Sequence, residues 1–167
     1  GTLYHEELFS TEGFSDNYSL LYHANAPTQI TQVGEPYSVA PELINDKQLK
    51  HRSLLGFKIK PEADYLKSRV PVLVNKDCKI SLSAPTKSMD DYYFKNADAD
   101  EVIFVHLGTG TLKTPYGNIP FEYGDYLVIP RGTIYQLEFN DSTTGYSLSK
   151  VAVQSSHPTD TETSLDN

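Results

Sequence analysis

Between Asn96 and Asn140 the chain alternates short apolar runs with turn-forming residues, NADADEVIFVHLGTGTLKTPYGNIPFEYGDYLVIPRGTIYQLEFN. Gly108, Gly117, Gly124 and Gly132 punctuate runs rich in Val, Ile, Phe, Tyr and Leu. Residues that suit a pleated surface, broken this regularly by residues that suit a reversal, predict consecutive short antiparallel strands of an all-β sandwich or barrel. Tyr116-Gly117-Asn118 reads as a hairpin tip, and Gly124-Asp125 with Pro130-Arg131-Gly132 brackets a strand over Tyr126–Ile129. Pro130 lacks a backbone donor, which suits the point where that strand stops pairing. In Glu101–Leu107, alternation sets Glu101, Ile103, Val105 and Leu107 on one face and Val102, Phe104 and His106 on the other. Both faces are largely apolar, so this strand is expected to be central and covered on each side.

The pattern upstream is less regular. Residues 1–17 are polar and rich in turn formers, predicting an extended segment over the barrel, with a first strand at Tyr18–His23 and a second at Gln29–Val33. The stretch 34–50 is irregular and acidic, with one helical turn expected around Pro41–Ile44. Ser53–Lys60 alternates, with Leu55, Phe57 and Ile59 on one side. Val70, Val72 and Val74, then Ile80 and Leu82, flank Asn75-Lys76-Asp77 as a hairpin or a bulged strand. Another strand begins at Tyr92-Tyr93-Phe94, and the last two are expected over Thr133–Phe139 and Tyr146–Val153, separated by a turn-rich link at Asn140–Gly145. Beyond Val153 the only large apolar side chain is Leu165. That segment cannot bury enough to offset its ordering entropy and reads as a flexible tail or a linker. The expected organisation is an extended segment over 1–17, a barrel over 18–153 and a tail or linker over 154–167.

Length and composition narrow this further. A chain of 167 residues is the size of one domain and can bury about 70% of its unfolded surface. Twelve Tyr and seven Phe without Trp suit β-rich packing. The single Cys78 excludes an internal disulfide framework and suits a reducing, cytoplasmic compartment. A formal net charge of −8 repels nucleic acid and anionic membrane. The one basic cluster, Lys47–Arg52, lacks a glycine-rich phosphate loop and interleaved aromatics, so it reads as a solvated loop. No apolar run approaches the roughly 18 residues of a membrane span. The start at Gly1 suggests a piece of something longer.

Candidate chemistry is sparse. His5, His23, His51, His106 and His157 are scattered, with no His-x-His, His-x-x-Glu or His-x-x-x-His pair. Iron and zinc sites need imidazoles and carboxylates converging on one point, so neither a metal ligand set nor a catalytic residue is assigned in this chain. Asp98, Asp100 and Glu101 crowd one turn, but the order of a calcium loop is incomplete, and the turn reads as solvated. His23 reads as a hydrogen-bonded structural residue and Cys78 as a small core residue. A buried, partnerless His106 would lose about 1 to 3 kcal/mol, so it is expected to be paired or at the rim.

The order Glu101, Gly108, Gly124-Asp125, Ile129-Pro130-Arg131-Gly132 resembles the cupin superfamily, double-sheet jelly rolls that often hold a metal inside the barrel. The resemblance implies a His-x-His pair four or five residues before the glutamate and another histidine three residues after the Pro-x-Gly turn. Those places hold Phe94 and Asn96, or Lys95 and Ala97 at the shorter spacing, and Tyr135. Only Glu101 remains. A vestigial pocket around Glu101, His106 and Tyr135 is the one candidate site, with inert barrel filling as its alternative.

The chain also resembles the N-terminal part of the homogentisate 1,2-dioxygenase family, its bacterial branch in particular. The residues that carry this are Glu12-Gly13-Phe14-Ser15, Tyr18–His23, Pro27-Thr28, Arg69-Val70-Pro71 through Asn75, and Tyr93–Glu101 through the two glycine turns, most of 12–140. The resemblance implies an Fe(II)-dependent enzyme that cleaves the ring of homogentisate with O2, has two cupin-like halves and assembles into symmetric oligomers. It also implies that the iron ligands lie in the C-terminal half, whose motifs are absent here. No cofactor is then expected in this segment, and its main partner is a C-terminal cupin domain of the same chain. The rival expectation is a stand-alone, non-catalytic cupin that binds a small ligand.

Overall fold

In the computed structural model, residues 1, 3–44, 50–75, 77–140 and 149–154 are described. They fall into two compact units, Gly1–Ala40 and Pro41–Asn167.

The first unit is a β-hairpin. β1 (His5–Glu12) pairs antiparallel with β2 (Ser15–His23), with Leu8 opposite Leu20 and His5 opposite His23, and its register shifts between Ser10 and Glu12. Residues 5–12 are therefore a strand and not the extended segment expected over 1–17. HEELFSTE has no clean apolar alternation because the hairpin buries neither face, so the signal used to find strands is missing there. Glu7 accepts from His23 Nε2 at 2.8 Å, which makes His23 the hydrogen-bonded residue expected. The strand expected at Gln29–Val33 and the helical turn at Pro41–Ile44 do not form, and both stretches are irregular. The Gln29 N–H donates to the Ala26 carbonyl in the turn before it, and among the described residues no strand pairs with either stretch.

The second unit carries two sheets. The five-stranded sheet has the order β3-β4-β11-β6-β9, from β3 (Val70–Val74), β4 (Cys78–Ser83), β6 (Asp100–Val105), β9 (Tyr126–Ile129) and β11 (Ser149–Gln154). The four-stranded sheet has the order β5-β10-β7-β8, from β5 (Phe94–Lys95), β7 (Gly110–Thr114), β8 (Gly117–Phe121) and β10 (Ile134–Phe139). All pairings are antiparallel. From β4 onward the chain passes from one sheet to the other at every step except the β7–β8 hairpin, as in a jelly roll, so the all-β, cupin-like architecture expected from the glycine-punctuated pattern is the one adopted. Gly124 and Gly132 sit at φ 95° and 83°, conformations that admit glycine at least cost.

Ile103, Val105, Leu127 and Ile129 from the larger sheet meet Leu112, Phe121, Tyr135 and Leu137 from the smaller one, with Tyr65 and Met89 closing the core. β6 is flanked by β11 and β9, the interior position expected for it. The β3–β4 hairpin forms around Asn75, whose side-chain oxygen accepts from the backbone N–H of Asp77 and Cys78. Ser53–Lys60 departs from expectation. Gly56–Lys58 is a 3-10 turn, and Gly56 sits against Leu82, leaving no room for a paired strand there. Residues 47–49 of the basic cluster, residues 141–145 of the link expected at Asn140–Gly145 and the tail beyond Gln154 lie outside the described residues.

Candidate functional site

β6 points Glu101 into the barrel, where its side chain is 0% exposed. A carboxylate in an apolar interior needs a cation and donors on both oxygens to offset the water it has lost. Arg69, the residue before β3, supplies the cation, its Nη1 donating to Glu101 Oε1 at 3.0 Å. Asn96 Nδ2 donates to the same oxygen at 3.2 Å, and the Tyr135 hydroxyl, from β10 of the opposite sheet, donates to Oε2. The network thus joins the larger sheet, the smaller sheet and the entry to β3.

The neighbours hold each member in place. The Arg69 guanidinium lies over the Tyr65 ring at 4.7 Å and the Phe94 ring at 5.9 Å, and Phe94 meets Tyr135 edge-on at 5.7 Å. Asn96 also organises the acidic turn: its side-chain oxygen accepts from the N–H of Asp98 and Ala99, and its carbonyl accepts from Gly132 N–H at 2.7 Å. Asp100 accepts from Arg131 N–H at 2.7 Å, joining the same turn to the Pro-x-Gly turn. Burial opposes the charge on Arg69, but the oxygens of Tyr65, Glu101 and Tyr135 around it outweigh that and hold its pKa above the usual arginine value. Burial pushes the Tyr135 phenol well up, with Tyr65 and Glu101 adding to the effect, so it stays a neutral donor.

A second buried carboxylate, Asp64, lies near the start of this unit's ordered core. Burial would raise its pKa, yet the Tyr92 hydroxyl at 2.7 Å, the Lys67 N–H at 3.0 Å and the Lys67 ammonium at 3.3 Å together hold it below the usual value.

Of the three candidate residues, the structure brings Glu101 and Tyr135 into direct contact and keeps His106 apart. His106 follows β6 on the outer side of the sheet, among Phe57, Phe104 and Tyr123, with ring centroids 5.0 to 6.1 Å away. The chain's own alternation separates the two, since 101 and 106 differ by an odd number of strand positions. Arg69 and Asn96 are the partners that residue-by-residue reading missed. Nothing local marks Arg69, which precedes an apolar strand, and only the demand of a lone buried carboxylate for a cation could have pointed to it.

Iron does not fit this interior. Both Glu101 oxygens are engaged by protein donors, a guanidinium occupies the adjacent space, and among the described residues no three His, Cys, Asp or Glu side chains converge. Between the sheets lies a void of ≈ 10 Å³ bounded by Tyr65, Ile103, Phe121, Leu137 and Phe139, an apolar space on the scale of one water.

Comparison with known proteins matches residues 64–159, more than half of the chain, to the family described as homogentisate 1,2-dioxygenase N-terminal. A candidate dioxygenase of Saccharolobus solfataricus is 39% identical over 139 residues, covering 83% of this chain and 36% of that protein. Homogentisate 1,2-dioxygenase of Bradyrhizobium diazoefficiens is 40% identical over 62 residues, covering 36% of this chain and 14% of that protein. The chain thus spans about a third or less of the relatives it matches. Among solved structures, a cupin protein from Bacteroides fragilis aligns at TM-score 0.42 and 16% identity over 59% of this chain and 80% of its own.

Proposed function

Because this chain belongs to the homogentisate 1,2-dioxygenase N-terminal family, we propose that it is the non-catalytic, metal-free domain of an iron-dependent, ring-cleaving dioxygenase. In that reading homogentisate and O2 give maleylacetoacetate, and Fe(II) is held in a C-terminal cupin domain of the same polypeptide. The observation that supports it is the closed Arg69–Glu101–Tyr135–Asn96 network, which commits the barrel's one inward carboxylate to protein donors and leaves it free for neither iron nor substrate.

The domain's work is then structural: it presents a rigid two-sheet body to the catalytic half and to other subunits of a symmetric oligomer. The acidic, single-cysteine composition suits a reducing cytoplasm, and no helix among the described residues is long and apolar enough to cross a membrane. A stand-alone module that binds a small ligand in the barrel fits less well, since the interior is filled by side chains.

Oxygen uptake tests the proposal. The complete polypeptide loaded with Fe(II) is expected to consume O2 when given homogentisate, and the 167-residue chain is not. One equivalent of Fe(II) bound by this chain, or O2 uptake by it, would overturn the assignment, as would a reading frame that closes at Asn167.

A further inference from the structure

The two sheets of the barrel treat their outer faces differently. Across the five-stranded sheet two cross-strand rows face outward. One runs from Val70 through Leu82 to Phe104 and Tyr126, and the other from Leu73 through Ile80 to Val102 and Val128, with Lys150 and Ala152 at the intervening register positions on β11. Apart from Lys150, every residue in these rows is apolar or aromatic.

The turn at Gly56–Lys58 covers part of this face, with Gly56 on Leu82 and Phe57 on His106. Towards β9 no other described part of the same unit covers it. Tyr126 is 67% exposed and Val128 66%, and Tyr123 beside them is exposed as well. β9 is also the edge of its sheet and carries no charged side chain, so only its four-residue length and the following Pro130 limit pairing there. An apolar, aromatic patch that reaches the edge of a sheet is what a docking surface looks like.

We propose that the outer face of β6 and β9, centred on Phe104, Tyr126 and Val128, is where this domain docks the part of the polypeptide that its relatives carry beyond the matched region. The inference rests on the reading of the chain as one domain of a longer enzyme. The occupant is argued from length: the Saccharolobus solfataricus relative extends well beyond the 36% of it that this chain matches, so the longer polypeptide has material to cover the face. A second copy of this chain would instead bring another −8 of net charge towards the first.

Hydroxyl-radical footprinting of the complete polypeptide and of the 167-residue chain tests this. Tyr126 is expected to be oxidised severalfold more slowly in the complete polypeptide. Tyr116, 52% exposed in the β7–β8 turn of the other sheet, is expected to react equally in both and serves as the internal reference. In the complete polypeptide Val128→Lys should return Tyr126 to the rate of the shorter chain and leave Tyr116 and buried Tyr135 unchanged, which separates lost docking from unfolding. Equal Tyr126 rates in the two proteins would overturn the proposal. So would protection of Tyr126 in the 167-residue chain alone that grows with concentration, since the occupant would then be a second copy. Oxygen uptake is read separately: an active polypeptide with Tyr126 unprotected sinks the docking surface alone, and a protected but inactive one sinks the assigned reaction alone.

Discussion

The outer face of the four-stranded sheet carries Lys95, Thr111, Lys113, Asn118, Gln136 and Glu138 beside Pro120 and Ile134, and that of the five-stranded sheet carries Val70, Leu73, Ile80, Leu82, Val102, Phe104, Tyr126 and Val128, with Lys150 at one register position. Both sheets contribute equally well to one core, so the difference owes nothing to folding the barrel. An antiparallel sheet that ends at water shows polar residues on its outer side, whereas a sheet apolar on both sides is built to be covered. The smaller sheet is finished as it stands. The larger one has a second, largely apolar face, the one proposed above to take up the rest of a longer polypeptide.

The strongest way to break this comparison is to cut the tie that makes the two sheets one body. Arg69→Leu would leave Glu101 buried without its cation and should cost about 3 to 5 kcal/mol, read as a lower urea midpoint. If the pair is a matter of charge balance, adding Glu101→Leu to that variant should recover most of the loss. A mild effect of Arg69→Leu alone would mean that the sheets hold together without the network.

A middle-sized effect should appear on the finished sheet only. A Cβ at Gly110 would lie 2.1 Å from the Glu138 carbonyl oxygen and 2.5 Å from the Phe121 ring. Gly110→Ala should therefore force β7 off β10 at a cost of about 1 to 3 kcal/mol, measurable by thermal unfolding. A neutral result would show that the smaller sheet is looser than its packing implies.

The smallest effect sharpens the contrast at the surface. Lys113 pairs with Glu138 across β7 and β10 in partly exposed positions. Lys113→Ala should cost no more than about 1 kcal/mol, and that cost should shrink further in high salt. A larger, salt-insensitive loss would mean that the polar face is not a simple solvated one.

The barrel was legible because its strands follow one another and alternate. Glu101–Val105, Tyr126–Ile129 and Ile134–Phe139 each carry a period of two in burial with one face in the core, and glycines mark the reversals. β2 contains the strand expected at Tyr18–His23, whereas its partner β1 and the turn at Gly56–Lys58 were not legible. β1 buries no face and lacks the period, and Leu55, Phe57 and Ile59 alternate without finding a strand to pair with. The candidate site was half legible. Glu101 and Tyr135 sit at positions marked by the cupin pattern and do meet, while His106 belongs to the outer side of the same strand.

By itself the sequence determined most of the barrel strands, which residues share a face with Glu101 and the absence of the histidine spacings an ion would need, because each is a local matter of period and residue type. Only the tertiary structure decided what answers that carboxylate. Arg69, Asn96 and Tyr135 come from three separate places in the chain, and their convergence depends on how two sheets close on one another, a long-range arrangement that no local pattern encodes.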